Sequence, residues 1–263
     1  MPINKVPSLD KRRKGIYILP NLITTAGLFA GFFAIVQATA GNFSESAIAI
    51  FIAMAMDTLD GRVARITSTA SDFGKEYDSL ADVIAFGLAP ALVIYEWGFR
   101  SLGRPGWLIS FIFVAAVALR LARFNSLDTR DNHYFQGLPC PMAAGVVASF
   151  IWVADAHQIS SPGIVIGAFS VMLALALAMV STLLYRSFKD WDARNRVPFT
   201  ALFLVVSIFV LVSFDPPWVL LSITGIYFVS GPILWLISRV GRLSRRSTNP
   251  IDYPKKTGRS GRT

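Results

Sequence analysis

The sequence alternates between long apolar stretches and short polar segments rich in arginine and lysine. A helix needs roughly 20 apolar residues to cross the ~30 Å hydrocarbon core of a bilayer, and most of the stretches approach or exceed that length. The fifth stretch is short, and the last two form a hairpin that turns at Asp215, Pro216 and Pro217. The pattern predicts an all-α, polytopic membrane helix bundle with eight transmembrane helices, at residues 19–40, 44–65, 76–99, 107–125, 142–156, 163–185, 198–214 and 218–237.

Composition and charge support the membrane class. Hydrophobic residues make up 54% of the chain and charged residues only 16%, whereas a soluble domain carries about a quarter of its residues charged. The net charge of +9 lies mostly in tails and short loops beside apolar stretches. This placement indicates contact with anionic lipid in a bilayer and argues against a nucleic-acid partner. The single cysteine excludes an intrachain disulfide.

The distribution of lysine and arginine predicts the orientation in the membrane. If the amino terminus is cytosolic, all 25 basic residues except Arg100 and Arg104 fall in cytosolic segments. This asymmetry follows the positive-inside rule and supports an even number of spans. We therefore expect a multi-pass protein of the cell (cytoplasmic) membrane with both termini in the cytosol.

Four aspartates lie at the facing ends of the second and third predicted spans. Asp57 and Asp60 are three residues apart and Asp78 and Asp82 are four apart, so each pair shares one helix face. The loop at 66–73 is short enough for the two helices to lie antiparallel as neighbours, with the acids together at the cytosolic side. Converging acids near hydrocarbon are costly unless they are paired, hydrated or bound to cations. Two divalent cations, Mg²⁺ or Mn²⁺, suit such all-oxygen ligands and are a recurring device for phosphoryl displacement.

The alternative for these acids is a solvated helix end, with Arg62 and Arg65 offsetting part of the charge. The wider pattern favours a binding site, because Gly61 and Ala64 leave room for a ligand beside the acids. Gly74 either lets the backbone approach a phosphate or simply turns the chain.

The spacing Asp57-x2-Asp60-Gly61-x2-Ala64-Arg65-x8-Gly74-x3-Asp78-x3-Asp82 resembles the complete signature of the CDP-alcohol phosphatidyltransferases. The resemblance implies that the four aspartates hold two divalent cations, which bind the diphosphate of a CDP-linked lipid. It also implies that Asp82 is the general base and that Gly61, Ala64 and Arg65 lie along the cytidine and phosphate site. The family fold is a bundle of about six membrane helices, commonly dimeric, so a homodimer is expected.

The same resemblance divides the chain into four segments. Residues 1–18 are a basic cytosolic segment and 19–197 are the membrane core of the family. Residues 198–238 are an additional hairpin that the signature does not explain. Residues 239–263 are a basic tail that we expect to be disordered.

Two further segments bear on the acceptor alcohol. Arg120-x2-Arg123-Phe124-Asn125 and Phe135-x-Gly137-Leu138-Pro139 resemble the phosphatidylserine synthase subgroup, which implies CDP-diacylglycerol as donor and L-serine as acceptor. Arg120 or Arg123 would hold the serine carboxylate bidentately, or both are ordinary membrane anchors. Arg120 is the better candidate because it lies deeper in its apolar helix.

Asn21, at the start of the first predicted span, either caps that helix or contacts the donor. Three alternative functions remain open. The same chemistry could use glycerol 3-phosphate, inositol phosphate or choline as acceptor. A cation or proton transporter would place its acids near the membrane midplane, whereas these lie at helix ends. A noncatalytic scaffold has no need for four clustered acids.

Overall fold

The computed structural model of the protein describes residues 11–67, 71–126, 134–182, 184–186 and 199–247. The helices are α1 (Lys11–Thr39), α2 (Phe43–Ile66), α3 (Asp72–Asp82), α4 (Ala89–Trp97), α5 (Arg104–Ser126), α6 (Cys140–Ala156), α7 (Pro162–Val180), α8 (Phe199–Phe214) and α9 (Pro216–Ser247). A π-helical turn, Val83–Leu88, joins α3 to α4, and a 3-10 turn, Phe99–Leu102, precedes α5. Each predicted span corresponds to one helix, with α3 and α4 together forming the third. The prediction of a polytopic helical bundle is confirmed.

Five helical segments within the described residues are long and apolar enough to cross a membrane. They are Leu19–Thr39, Asp72–Trp97, Arg104–Ser126, Pro162–Val180 and Pro216–Trp235. The apolar helix Cys140–Ala156 is shorter, and α8 has only 16 residues. Helix α2 is long enough, but it carries the charged residues of the acidic signature along its second half.

Two predicted boundaries are wrong. The first predicted span, 19–40, agrees with the apolar segment Leu19–Thr39, although the helix that contains it, α1, already begins at Lys11. The sixth span was expected to reach residue 185, but α7 ends at Val180. Helix α9 continues to Ser247, so residues 239–247 of the tail that was expected to be disordered are helical. Residues 248–263 lie outside the described part of the chain.

A short antiparallel strand pair joins the segment before α6 to the segment after α7, where the sequence predicted helix up to residue 185. Strand β1 (Tyr134–Gln136) pairs with β2 (Leu184–Arg186) in a register that places residue 135 opposite Tyr185. Gly137 then turns the chain at φ +81°, and a Cβ there would overlap the carbonyl oxygen of Met179. The pairing joins segments about 50 residues apart, so a local apolar pattern does not reveal it.

Helix α1 packs along α2 and also contacts α3, the π-helical turn and α4. Gly27 and Gly31, four residues apart, make this close approach possible. A Cβ at Gly27 would lie 3.3 Å from the Cβ of Met56, and one at Gly31 would lie 2.7 Å from the Cα of Ala85. Small residues at this spacing let membrane helices approach closely. The first helix is therefore docked on both elements that carry the acidic signature.

Helix α6 packs against α2 and α9, and α5 packs against α7. At the end of the bundle away from the acids, Asp155 of α6 accepts hydrogen bonds from the backbone nitrogen (3.1 Å) and the hydroxyl of Ser44. Nearby, the indole nitrogen of Trp218 donates to Nε2 of His157 at 3.4 Å. These bonds tie α2 and α9 to the same end of α6.

Candidate active site

Three carboxylates converge at one end of the bundle. Asp57 and Asp60 on α2 and Asp78 on α3 each offer an oxygen, and these oxygens all lie within 4.8 Å of one another. Asp60 is buried, whereas Asp57 and Asp78 are half-buried. Asp82, one turn after Asp78, lines the same small pocket without joining the close group. The structure thus gathers three of the predicted ligands and places the fourth on the wall of their pocket.

The arrangement of the helices around the acids differs from the prediction. We expected α2 and α3 to pack as direct neighbours, but each approaches α1 more closely than it approaches the other. The carboxylates therefore face one another across a gap that α1 closes on one side. The pocket in this gap has a volume of about 10 Å³, enough for one water-sized group. Its donor set is made of carboxylates and suits a hard divalent cation such as Mg²⁺ or Mn²⁺.

Thr24 of α1 contributes directly to the acidic group and was not singled out by the sequence. Its hydroxyl donates to Oδ2 of Asp60 at 2.7 Å and also lies 3.1 Å from the carbonyl oxygen of Pro20. The neighbouring Thr25 hydroxyl lies 2.9 Å from the hydroxyl of Tyr77 on α3. Asn21, Thr24 and Thr25 follow helical spacing within an apolar helix, and this polar face was the signal available in the sequence.

A second cavity, of about 200 Å³, opens beside the acids and receives most of the residues predicted to bind the donor. It is lined by Pro20, Asn21, Thr24, Asp60, Gly61, Ala64, Ser71, Gly74, Lys75 and Asp78. A Cβ added at Gly61 would meet no atom within 4 Å, whereas one at Gly74 would lie 3.2 Å from Oδ1 of Asn21. Gly74 thus permits a close approach between α3 and α1.

Two predictions around this cavity need correction or completion. Asn21 lies inside α1, so the suggestion that it caps the helix is wrong. Ser71 is the residue that caps a helix here, because its hydroxyl accepts from the backbone nitrogen of Gly74 at 3.0 Å. Arg65 is exposed and its Nε donates to the carbonyl oxygen of Gly61 at 2.9 Å, which places it beside a lining residue.

The two arginines predicted to bind the acceptor lie in different environments. Arg120 is half-buried on α5, and its charge acts on the carboxyl group of Asp82. Its Nη1 lies 3.6 Å from Sγ of the buried Cys140, and its Nε is buried without a hydrogen-bond partner among the described residues. Arg123 is exposed. Of the two, the structure brings Arg120 to the acidic site.

Helix α5 also contacts α3 through a residue that follows the two arginines in the chain. The side-chain nitrogen of Asn125 donates to the hydroxyl of Ser79 at 2.9 Å. Ser79 directly follows Asp78, so this bond holds the end of α5 beside the acidic group. From the sequence, Asn125 was only part of a resemblance, and its contact with Ser79 was not predicted.

Fold and site together define a multi-pass helical membrane protein with an oxygen-only acidic pocket next to a larger polar cavity. The sequence of the chain matches one family over residues 17–184, which include every residue of both pockets. The chain belongs to the CDP-alcohol phosphatidyltransferase family.

The chain is also similar to several enzymes. The chain is 38% identical over 229 residues to the CDP-diacylglycerol--serine O-phosphatidyltransferase of Helicobacter pylori, covering 86% of this chain and 94% of the relative. It is 35% identical over 180 residues to the archaetidylserine synthase of Methanothermobacter thermautotrophicus, covering 67% and 72%. A Mycobacterium bovis protein, also named CDP-diacylglycerol--serine O-phosphatidyltransferase, is 37% identical over 140 residues, covering 51% of this chain and 49% of that protein. The Helicobacter match is long enough to extend well past residue 184, into the hairpin of α8 and α9.

Proposed function

We propose that this chain transfers the phosphatidyl group of CDP-diacylglycerol to the hydroxyl of L-serine, giving phosphatidylserine and CMP. The observation that carries the proposal is the close group of Asp57, Asp60 and Asp78, formed on the family signature. The named relatives in Helicobacter and Methanothermobacter differ in the lipid of their product but share serine in their names. This agreement favours serine over the other acceptors considered.

We assign Asp57, Asp60, Asp78 and Asp82 as the ligands of two divalent cations, Mg²⁺ or Mn²⁺. The support is the spacing of three carboxylates within 4.8 Å and the position of the fourth on the same pocket. Bound there, the cations would neutralise the diphosphate of the donor and the phosphate of the departing CMP.

The cavity beside the acids is the proposed donor site. Asn21, Gly61, Ala64 and Gly74 line it, and the absence of side-chain bulk at Gly61 leaves its wall open to a ligand. Arg65 adds a positive charge beside Gly61, where it would offset the charge of the nucleotide phosphate. The cavity shares Asp60 and Asp78 with the acidic pocket, so a diphosphate held by those acids would extend into it.

Asp82 is the proposed general base. In the reaction its carboxylate accepts the hydroxyl proton of serine, and the serine oxygen attacks the phosphorus that carries diacylglycerol. A new phosphorus–oxygen bond forms as the bond to the CMP oxygen breaks. Asp82 is suited to this role because it lines the acidic pocket but lies outside the closest group of carboxylates. Most of the rate enhancement would come from positioning and electrostatic stabilisation.

Arg120 is the proposed partner of the serine carboxylate. Within the described part of the chain its Nε is buried without a hydrogen-bond partner, and its charge acts on the carboxyl group of Asp82, so it combines spare donor capacity with proximity to the base. A planar guanidinium can bind a carboxylate through two parallel hydrogen bonds. Arg123 is assigned to the same acceptor region with less structural support, since it is exposed.

We propose that the active site and both termini face the cytosol and that the protein lies in the cell membrane as a homodimer. Orientation is supported by the placement of Arg100, in the turn before α5, and of Arg104, its first residue, at the opposite end of that helix from Arg120. Crosslinking and mass measurement in detergent would test the dimer. Cysteines introduced at either terminus of the protein and labelled in intact cells would test the orientation.

The central experiment is an acceptor screen. Purified protein in detergent receives labelled CDP-diacylglycerol, a divalent cation and one alcohol: L-serine, glycerol 3-phosphate, inositol phosphate or choline. We expect CMP release and a labelled phospholipid with serine alone, and neither in an Asp78→Asn control. Product formation with a different alcohol would show that this alcohol, and not serine, is the acceptor. A folded protein that releases no CMP with any of the alcohols would exclude the proposed phosphatidyltransferase activity.

A further inference from the structure

Cys140, the only cysteine of the chain, lies where helix α6 meets the proposed acceptor site. It is the first residue of α6, and its side chain is fully buried. Its Sγ lies 3.6 Å from Nη1 of Arg120 on α5, a hydrogen-bonding distance for the large sulfur atom. The thiol therefore contacts directly the guanidinium that we assign to the acceptor.

The backbone that leads into Cys140 is fixed to the end of α7. Gly137 turns the chain at φ +81°, and a Cβ there would overlap the carbonyl oxygen of Met179. The backbone nitrogen of Leu138 donates to the carbonyl oxygen of Ala178 at 3.1 Å, and the side chain of Leu138 is fully buried. Because both residues of the turn are held, Sγ of Cys140 is presented to α5 in a defined position.

Helix α9 holds the strand pair that precedes this turn. Tyr185 of β2 is fully buried, and its hydroxyl donates to the carbonyl oxygen of Phe228 on α9 at 3.4 Å. A Cβ on Gly231 would overlap the Tyr185 ring, so only glycine lets α9 lie this close. Since β2 pairs with β1, these contacts also restrain the strand that leads into Gly137.

The guanidinium of Arg120 keeps one edge available for a ligand. Its Nε is buried and has no hydrogen-bond partner within the described part of the chain. A buried donor that lacks an acceptor is costly, so this nitrogen favours a ligand that can accept from it. The N–H of Nε is parallel to one N–H of Nη2, and such a pair receives a carboxylate through two parallel hydrogen bonds. The contact of Cys140 with Nη1 leaves that edge free.

A thiol suits this position because sulfur is a weak hydrogen-bond acceptor. A carboxylate in the same place would bind the guanidinium strongly and compete with the carboxylate of the acceptor. A side chain without any acceptor would leave the end of the long arginine side chain free to rotate. The contact with sulfur restricts this rotation and does not occupy the edge that binds the ligand.

We propose that Cys140 is a positioning residue for the acceptor site: its thiol holds Nη1 of Arg120 and so directs the Nε edge toward the carboxylate of the acceptor. The proposal rests on the proposed function, because it assigns a role within serine binding. It predicts that the identity of residue 140 affects the binding of serine and leaves the binding of the lipid donor unchanged.

The test is the kinetic split in Cys140→Ala, which removes only the sulfur. We expect the KM for serine to rise about three- to tenfold, the effect of losing one hydrogen bond. We expect kcat and the KM for CDP-diacylglycerol to stay within about twofold, because the contact concerns acceptor binding. The matched control is Val147→Ala, two turns further along α6, which removes buried volume and should leave the KM for serine unchanged.

Cys140→Ser separates positioning from packing. A serine hydroxyl accepts a hydrogen bond, so this variant should keep the KM for serine within about twofold of the wild type. If residue 140 only filled space, alanine would be tolerated better than serine, because a buried hydroxyl is costlier than a methyl group. A Ser variant that binds serine as weakly as the Ala variant would therefore overturn the proposal.

A double-mutant cycle tests whether Cys140 acts through Arg120. In an Arg120→Ala background, Cys140→Ala should cause no further change in the KM for serine. Additive effects, or an unchanged KM in the single variant, would overturn the proposal while wild-type turnover with serine upholds the proposed function. Absence of serine-dependent CMP release in the wild type would remove both. Unfolding temperatures are measured in parallel, and Cys140→Val, which also lacks an acceptor, replaces the Ala variant if that variant does not fold.

Discussion

The hydroxyl of Thr24 donates a 2.7 Å hydrogen bond to Oδ2 of Asp60, and this bond joins the first helix to the acidic group. Both residues are buried, so the carboxylate of Asp60 is held in one orientation away from bulk water. Side chains that form hydrogen bonds with a metal ligand orient that ligand and tune its basicity. Thr24 thus makes α1 a functional part of the site as well as a packing partner of α2.

Thr24→Val should weaken the affinity of the site for the cation without disturbing the fold, because valine has nearly the same shape. We expect the concentration of Mn²⁺ that gives half-maximal CMP release to rise about 10- to 100-fold, the usual effect of losing an outer-shell partner. Thr39→Val is the matched control, since that hydroxyl bonds the carbonyl of Val36 at the other end of α1. An identical Mn²⁺ titration for Thr24→Val and wild type would show that the bond does not orient a ligand.

The acidic group could be predicted from sequence because its information is local. Asp57 and Asp60, and likewise Asp78 and Asp82, are one helical turn apart, and helical periodicity alone puts each pair on one face. Thr24 is 36 residues from Asp60, and the contact between them depends on how α1 docks. No periodicity within α1 specifies which helix its polar face will meet. The signature marked the ligands, whereas the residues that orient them needed the packed bundle.

The same distinction between local and long-range information applies to the fold. Apolar length predicted where helices exist, since a bilayer selects helices of a certain length. It did not predict that α1 would extend back to Lys11 or that α7 would stop at Val180. Those boundaries depend on polar residues outside the hydrocarbon and on the pairing of β1 with β2. The π-helical turn after Asp82 lies against Gly31 of α1, and this long-range contact likewise has no local signal.

Removal of divalent cations should abolish turnover. Chelation with EDTA would leave Asp57, Asp60 and Asp78 as uncompensated neighbouring carboxylates, and Mg²⁺ or Mn²⁺ should restore CMP release. Asp78→Asn should abolish CMP release at cation concentrations that saturate the wild type, whereas Asp72→Asn, at the exposed first turn of α3, should not. Full activity in EDTA, measured with cation-free substrates, would contradict the metal assignment.

Asp82→Asn should stop chemistry while leaving much of the donor binding. The amide cannot accept the serine proton, and loss of a general base typically costs about 10²- to 10⁴-fold in rate. Binding of labelled CDP-diacylglycerol should persist, because Asp57, Asp60 and Asp78 remain grouped. Unchanged CMP release by this variant would refute the base assignment.

Arg120→Ala should raise the requirement for serine far more than the requirement for the donor. Loss of a charged hydrogen-bonding partner predicts an increase of at least about tenfold in the KM for serine. Arg123→Ala tests the second predicted arginine, and its exposed position leads us to expect a smaller effect. Equal increases in the two KM values for Arg120→Ala would indicate damage to the whole site instead of loss of an acceptor contact.

Gly31→Ala should disturb the site through the backbone. The new Cβ would lie 2.7 Å from the Cα of Ala85, within the π-helical turn that directly follows Asp82, so α1 or the turn must move. Overpacking of this kind costs about 1–3 kcal/mol of stability, more than the helix propensity gained from alanine. We expect a lower unfolding temperature in detergent together with reduced turnover, because Asp82 shifts with the turn.

Gly167→Ala on α7 separates this steric effect from the general consequence of replacing a helical glycine. No atom lies within 4 Å of a Cβ at Gly167, so alanine there should be neutral or should stabilise the helix by about 0.5–1 kcal/mol. A Gly31→Ala protein with wild-type stability and turnover would mean that α1 and the turn can separate without moving Asp82. The close approach at Gly31 would then contribute to packing alone, and the orientation of Asp82 would have to come from α5 and α6, which also contact the turn.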